Sequence, residues 1–317
     1  YEDPWLLLGL TFALGIGAAF TAPAWSAITL ELVPRSELPA AVSLSSASIN
    51  LARAVGPAVG GVIVSLLGAG AAFLLNAASF LAVFAVLVLW RREPIVSVLP
   101  REQIFGAIRA GLRFARHSPA LRRVLLRLGL YVFFASAFWA LLPLLTRHEM
   151  GRDATGYGML LGCVGVGAVA GAFLLPKLRE RLGAEVLVDA STLVFAVATA
   201  LLAHFPIFAL ACAVLVLVGF AWMVPLSTLN VETQSVAPTW VRARALALHL
   251  LVLQGGIAGG SALWGWVADR LHSPQTLQVA AAGLLGVLVL SRRFRLRPTA
   301  HIDLTPAVFD KLEKAAA

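Results

Sequence analysis

The sequence predicts an all-α polytopic membrane protein with nine transmembrane helices, and three observations lead there. Of 317 residues, 60% are hydrophobic and 13% charged, with a mean hydropathy of +0.87. That leaves too little polar surface to cover a water-soluble globule. Apolar runs of about 20 residues, enough to cross a bilayer at 1.5 Å rise per residue, recur along the whole chain, which excludes one anchor on a soluble domain. The basic residues are distributed between the connections in an alternating way.

Between turn and charge signals the apolar runs fall at 5–30, 39–67, 70–90, 123–147, 155–178, 185–204, 206–231, 241–268 and 274–291. Alternate connections hold Arg35, nine arginines within 91–127, Lys177, Arg179, Arg181, Arg242, Arg244 and six basic residues of the tail. The opposite connections hold only Arg147, Arg152 and Arg270. The excess side is cytoplasmic by the positive-inside rule, so the C-terminus is expected in the cytoplasm. This placement also explains the net charge of +9 and pI near 10.7 without a nucleic-acid partner. The organisation read from these runs is a three-helix bundle remnant at 1–90, a basic cytoplasmic linker at 91–121, a six-helix bundle at 122–297 and a cytoplasmic tail at 298–317. In the linker, Ile104, Ile108, Leu112 and Ala115 form an apolar stripe, with Arg101, Arg109, Arg113 and Arg116 mostly off it. That is the pattern of a helix at the headgroup interface, or of a linker whose charges simply obey the inside rule.

A shift of 204 residues superposes Val33-Pro34 on Ala237-Pro238, Ala41–Leu44 on Ala245–Leu248, Asn50 on Gln254 and Gly56 on Gly260. Two bundles repeated in parallel, separated by a long cytoplasmic loop, are a known transporter plan. Three helices precede the loop and six follow it. Together with the opening Tyr1-Glu2-Asp3-Pro4 and a first Met at Met150, this leads to the expectation of a longer protein of twelve helices, three of them ahead of residue 1. Cys163 and Cys212 lie in apolar runs and receive no role.

Pro34-Arg35-Ser36-Glu37-Leu38, followed by Asn50-Leu51-Ala52-Arg53-Ala54-Val55-Gly56-Pro57-Ala58-Val59-Gly60-Gly61, resembles the fourth-to-fifth helix region of the major facilitator superfamily. The closest likeness is to the branch containing enterobactin-exporter-like and transmembrane secretion effector proteins, which also show a tail like Asp303-Leu304-Thr305-Pro306. Ser43 and Ala52 stand where the exporter motif usually has further glycines. Lys177 to Gly183 is a degenerate echo of the superfamily's basic loop motif. The resemblance implies major-facilitator-type bundles and secondary active, proton-coupled export of a small amphipathic, siderophore-like or drug-like molecule. It also implies a monomer in the inner membrane. Uptake by a permease is the alternative within that class, and a non-transporting scaffold or sensor the alternative outside it. Neither an enzyme, a cofactor nor a metal site is expected. The six histidines are scattered, and there is no phosphate-cradling loop.

Arg53 stands out, since a guanidinium at mid-span costs about 2.5–3.5 kcal/mol on insertion scales. Such a residue serves a transport path or an interhelical bond. The candidate substrate or coupling pathway comprises Arg53, Asn50, Asn76, Trp139, Trp222, Asn230, His249 and Gln254. The tryptophans suit an aromatic or amphipathic substrate, or pack against other helices or lipid. Glu232 and His249 are able to exchange protons. Glu232 otherwise forms a cytoplasmic gate with Arg242 and Arg244, to which Arg35, Lys177, Arg179 and Arg181 contribute. Gly56, Pro57, Gly60 and Gly61 form a helix-packing motif, either a seam specific to export or ordinary small-residue packing.

Overall fold

The computed structural model describes residues 6, 8–17, 33, 37–90 and 104–293. It contains two compact units, Tyr1–Arg53 and Ala54–Ala317. Among the described residues every regular element is a helix, and six helices are long and apolar enough to cross a membrane. An apolar helix α1 spans Leu8–Gly17. The rest of the first expected span, through 18–30, lies outside the described residues.

Helix α2, Leu38–Leu89, is 52 residues long and broken at Gly68, whose φ of 82° and ψ of 166° suit glycine. The break divides it close to the predicted 39–67 and 70–90 boundary. Its Gly70–Leu89 arm has no buried residue.

Helix α3, Ile104–His117, is the linker helix. It packs on the later helix α7 (Thr239–Leu271), not through the full predicted stripe. Gly111 is buried and Phe114 and Ala115 are partly buried, whereas Leu112 is exposed. The face is chosen by close approach: a Cβ at Gly111 would stand 3.1 Å from that of Arg244.

Helix α4 starts at Pro119, four residues before the predicted 123. Ser118 caps it, its hydroxyl accepting from the Leu121 amide at 3.3 Å, and Pro119 sits where its missing N–H has no helical partner to lose. The earlier start carries Arg122 into the helix; Arg123 and Arg127 already fall within the predicted 123–147 run, although both are counted with the basic connection. It ends at Leu144 and continues as a π-turn, Leu145–Glu149, just after Pro143.

Helix α5, Ala154–His204, has 51 residues, about 76 Å at 1.5 Å per residue, where a bilayer core is about 30 Å thick. Gly183, at φ 71° and ψ 162°, divides it into two arms that match the predicted 155–178 and 185–204 runs. Asp153 caps it by accepting from the Gly156 amide at 3.0 Å. Helices α6 (Phe208–Val236), α7 and α8 (Ser273–Ser291) are the remaining described helices, with His272 at φ 64° turning α7 into α8.

The core of the 54–317 unit joins α4, α5, α6, α7 and α8 through Leu128, Tyr131, Phe195, Leu215, Trp264 and Leu284. The most extensive contact is between α5 and α6. A Cβ at Gly167 would fall 1.8 Å from the Val216 carbonyl oxygen, and one at Gly219 would fall 1.9 Å from that of Val164. Close backbone approach through small residues is the principal means of association for helices in lipid, where burial itself gives no drive.

Candidate functional site

Pro225 has no N–H to return to the Ala221 carbonyl four residues earlier, so that acceptor is freed inside α6. Tyr131 on α4 fills it, its hydroxyl donating to Ala221 O at 3.0 Å. A neighbouring helix must supply such a partner because lipid cannot. Tyr131 thereby anchors an aromatic cluster. Its ring lies 5.9 Å from both Phe195 and Trp222, and Trp222 lies 5.3 Å from Trp139 at an interplanar angle of 67°. Phe138 joins through Trp139 and Phe195. Both tryptophans are half-buried. Among the described residues the enclosed Trp139 indole N–H has no acceptor, and the hydroxyl of fully buried Thr228 on α6 has no partner. The cluster therefore offers flat apolar faces and an unused hydrogen-bond donor.

A second group links α6 to α7. Thr233 donates to the Leu229 carbonyl at 2.8 Å, which uses its one proton. Its 2.9 Å contact with His249 Nδ1 is then completed by Nδ1–H as donor, leaving Nε2 as the basic nitrogen of the neutral ring. His249 is 2% exposed and stands about 15 Å along α7 from its first residue, near half of a bilayer core. Gln234 donates to Asn230 Oδ1 at 2.8 Å. Glu232 is half-buried, and the cation acting on it is Arg179 of α5. Among the described residues the buried Arg179 Nε and Nη2 atoms have no hydrogen-bond acceptor. Arg242 Nε reaches Ala237 O at 3.4 Å, and Arg244 packs on α3.

A third group was not anticipated. Arg127 is 3% exposed inside α4, donates through Nη2 to Asp189 Oδ1 on the second arm of α5, and has Nη1 3.9 Å from Glu185 Oε1. Ser291 Oγ of α8 is 3.3 Å from the same Asp189 oxygen. One ionic knot thus ties three helices. Arg127 falls within the predicted 123–147 run but is counted with the connection's charges; the Ser118-Pro119 cap was the signal that would have placed it well inside the helix.

Of the other expected residues, Asn76 and Gln254 are exposed, as are Lys177 and Arg181. Arg35 lies outside the described residues, and so do the side chains of Asn50, Arg53, Gly56, Pro57 and Gly61. A Cβ at Gly60 would meet nothing within 4 Å, so the packing seam observed here is the one between α5 and α6. No group of three or more potential metal ligands occurs among the described residues.

Comparison with known proteins gives these groups a setting. The family described as transmembrane secretion effector matches residues 1–315. The enterobactin exporter EntS of Salmonella typhimurium (strain LT2) is 29% identical over 293 residues, covering 90% of this chain and 70% of the relative. That of Shigella boydii serotype 18 is 30% identical over 294 residues, covering 90% and 69%. Among solved structures, a bacterial homologue of the human lysosomal transporter Spinster, inward-facing and occupied, aligns with a TM-score of 0.62 at 15% identity, covering 87% of this chain and 74% of that one. Its unoccupied form gives 0.54 over 84% and 70%. These two likenesses concern the fold. A matched family pattern over nearly the whole chain, on a bundle of membrane-length helices, makes this a multi-pass membrane transporter, not an enzyme. The chain belongs to the transmembrane secretion effector family of the major facilitator superfamily.

Proposed function

We propose that this chain exports a small amphipathic, ring-bearing molecule across the inner membrane, coupled to proton movement, as a monomer with its C-terminus in the cytoplasm. The observation that carries the reading is the Trp139–Trp222 pair with its unused indole N–H. It offers a surface for an aromatic substrate that has an acceptor oxygen. The export direction is supported by the relatives named as enterobactin exporters. Proton coupling is assigned to His249, a buried titratable ring near mid-depth held by the neutral hydroxyl of Thr233. The Arg179–Glu232 pair acts as part of a cytoplasmic gate.

The test is flux of a siderophore and drug-like panel in proteoliposomes of the full chain, with and without an imposed pH gradient. Trp139→Phe keeps a ring but removes the donor. One lost hydrogen bond is worth about 0.5–1.5 kcal/mol, or roughly 2- to 13-fold in apparent affinity for acceptor-bearing substrates. His249→Asn is expected to abolish the response to the gradient while leaving exchange at equal pH. No flux for any substrate, or a Trp139→Phe variant that transports with unchanged affinity, overturns the reading. Flux only in the inward direction replaces export by uptake.

A further inference from the structure

The first arm of α5 and helix α6 run in the same direction, because the second arm of α5 returns the chain between them. Their contact has a fixed register. Gly167 meets Val216 and Phe220, Gly171 meets Phe220, and Gly219 meets Val164 and Ala168, so residues 49 to 55 positions apart lie against each other. A Cβ at Gly171 would stand 3.6 Å from the Phe220 Cα, so with one bond of roughly 1.5 Å the two Cα atoms are no more than about 5.1 Å apart. That lies inside the Cα separation of about 4.4–6.8 Å that a disulfide spans. One turn back from Gly167 and Val216, and 49 positions apart like that pair, stand Cys163 and Cys212. Both are free, half-buried thiols packed on the same core, and Cys212 is the neighbour that acts electrostatically on Cys163.

The two cysteines of this chain therefore meet on the tightest helix seam in the bundle. Cys212 is four residues inside α6, about 6 Å from the helix start, while a bilayer core is about 30 Å thick. This shallow position, at the face that the basic residues mark as the outer one, is within reach of a small solute.

We propose that Cys163 and Cys212 form a redox-closable dithiol that staples α5 to α6, with a low-molecular-weight disulfide as its oxidant. One cysteine, as thiolate, attacks a sulfur of R–S–S–R, forms a mixed disulfide and releases one thiolate, which takes a proton as RSH. The second cysteine, as thiolate, attacks the chain-bound sulfur and displaces the second RSH. One S–S bond forms in the chain and one breaks in the oxidant. Two electrons and two protons pass from the chain to two RSH. Trp222 is ten residues further along α6, about 15 Å, so the staple is distinct from the aromatic cluster and stands whether or not the transport reading does.

The experiment uses the full chain, purified in detergent under reducing conditions, freed of reductant and incubated with oxidised glutathione. The protein is then unfolded, alkylated with a polyethylene glycol maleimide and weighed intact. Before oxidation two thiols are expected to label. After oxidation none is expected to label, with the mass lower by two hydrogens and both thiols restored by dithiothreitol. Cys163→Ser and Cys212→Ser should each stop at a glutathione adduct on the remaining thiol. Two thiols still labelling after oxidation, two glutathione adducts on one chain, or disulfide-linked dimers in place of the internal bond would each overturn the proposal.

Discussion

Replacing Gly167 with alanine tests the close approach of α5 and α6. A Cβ there falls 1.8 Å from the Val216 carbonyl oxygen and 2.7 Å from its carbon, where ordinary contact begins at 3.4 Å. The obstacle is backbone, so no side-chain rotation relieves it. The helices must part locally by about 1.6 Å, the difference between 3.4 and 1.8 Å. A gap of only ~0.5–1 Å already forfeits a quarter to a half of each dispersion contact. Overpacking costs about 1–3 kcal/mol, and a fixed backbone obstacle places this change at the upper end. At roughly 2–4 °C per kcal/mol, the melting temperature should fall by about 6–12 °C. Far-UV circular dichroism of the full chain in detergent reads this. The internal control is Gly60→Ala, whose Cβ meets nothing within 4 Å. Both changes gain helix propensity, about 1 kcal/mol for glycine to alanine, so their difference isolates the clash. A Gly167→Ala protein that melts with or above the wild type refutes the reasoning.

The other predictions use the same melt unless stated. Asp189→Asn weakens the charge partner of nearly buried Arg127 and should destabilise by up to about 3–5 kcal/mol, while an Arg127→Met, Asp189→Leu double variant should recover most of that loss. Tyr131→Phe leaves the Ala221 carbonyl unsatisfied beside Pro225, a loss of about 1–3 kcal/mol, whereas Phe195→Leu in the same cluster loses packing alone. His272→Gly relieves a φ of 64° and should raise the melting temperature, since that conformation costs about 1–3 kcal/mol in a residue with a Cβ. Gly183→Ala imposes the same penalty at φ 71° and should lower it.

Composition and period made the membrane helices legible, because lipid demands the same long apolar run from every crossing. Gly68 and Gly183 fall at predicted junctions, and the family followed from Asn50 to Gly61. The start of α4 was placed four residues late, and Arg123 and Arg127 inside the predicted run were still counted as connection charges, because arginines look like loop charges on a hydropathy scale. A scale sums over a window and cannot see that Asp189, 62 residues away, arrives to neutralise one of them. The same blindness hid the seam. Every third or fourth residue of an apolar helix is small often enough that Gly167 looks no different from Gly60, and only the partner helix separates them.

Helix α6 shows how the pieces divide along one element. Ahead of Pro225 it is fixed on α5 by Gly219 and by the seam that carries Cys212. After Pro225 polar groups join its apolar packing: Thr233 meets His249, and Glu232 feels the charge of Arg179. The proline removes one internal hydrogen bond at the change, and Tyr131 holds the freed carbonyl from outside the helix. A bend at that point moves the polar half while leaving the glycine seam closed. It acts first on Tyr131 and on Trp222, the two rings that sit on the joint. Substrate against the aromatic cluster and a proton on His249 would therefore bias opposite ends of the same jointed helix, which is the physical requirement for coupling the two.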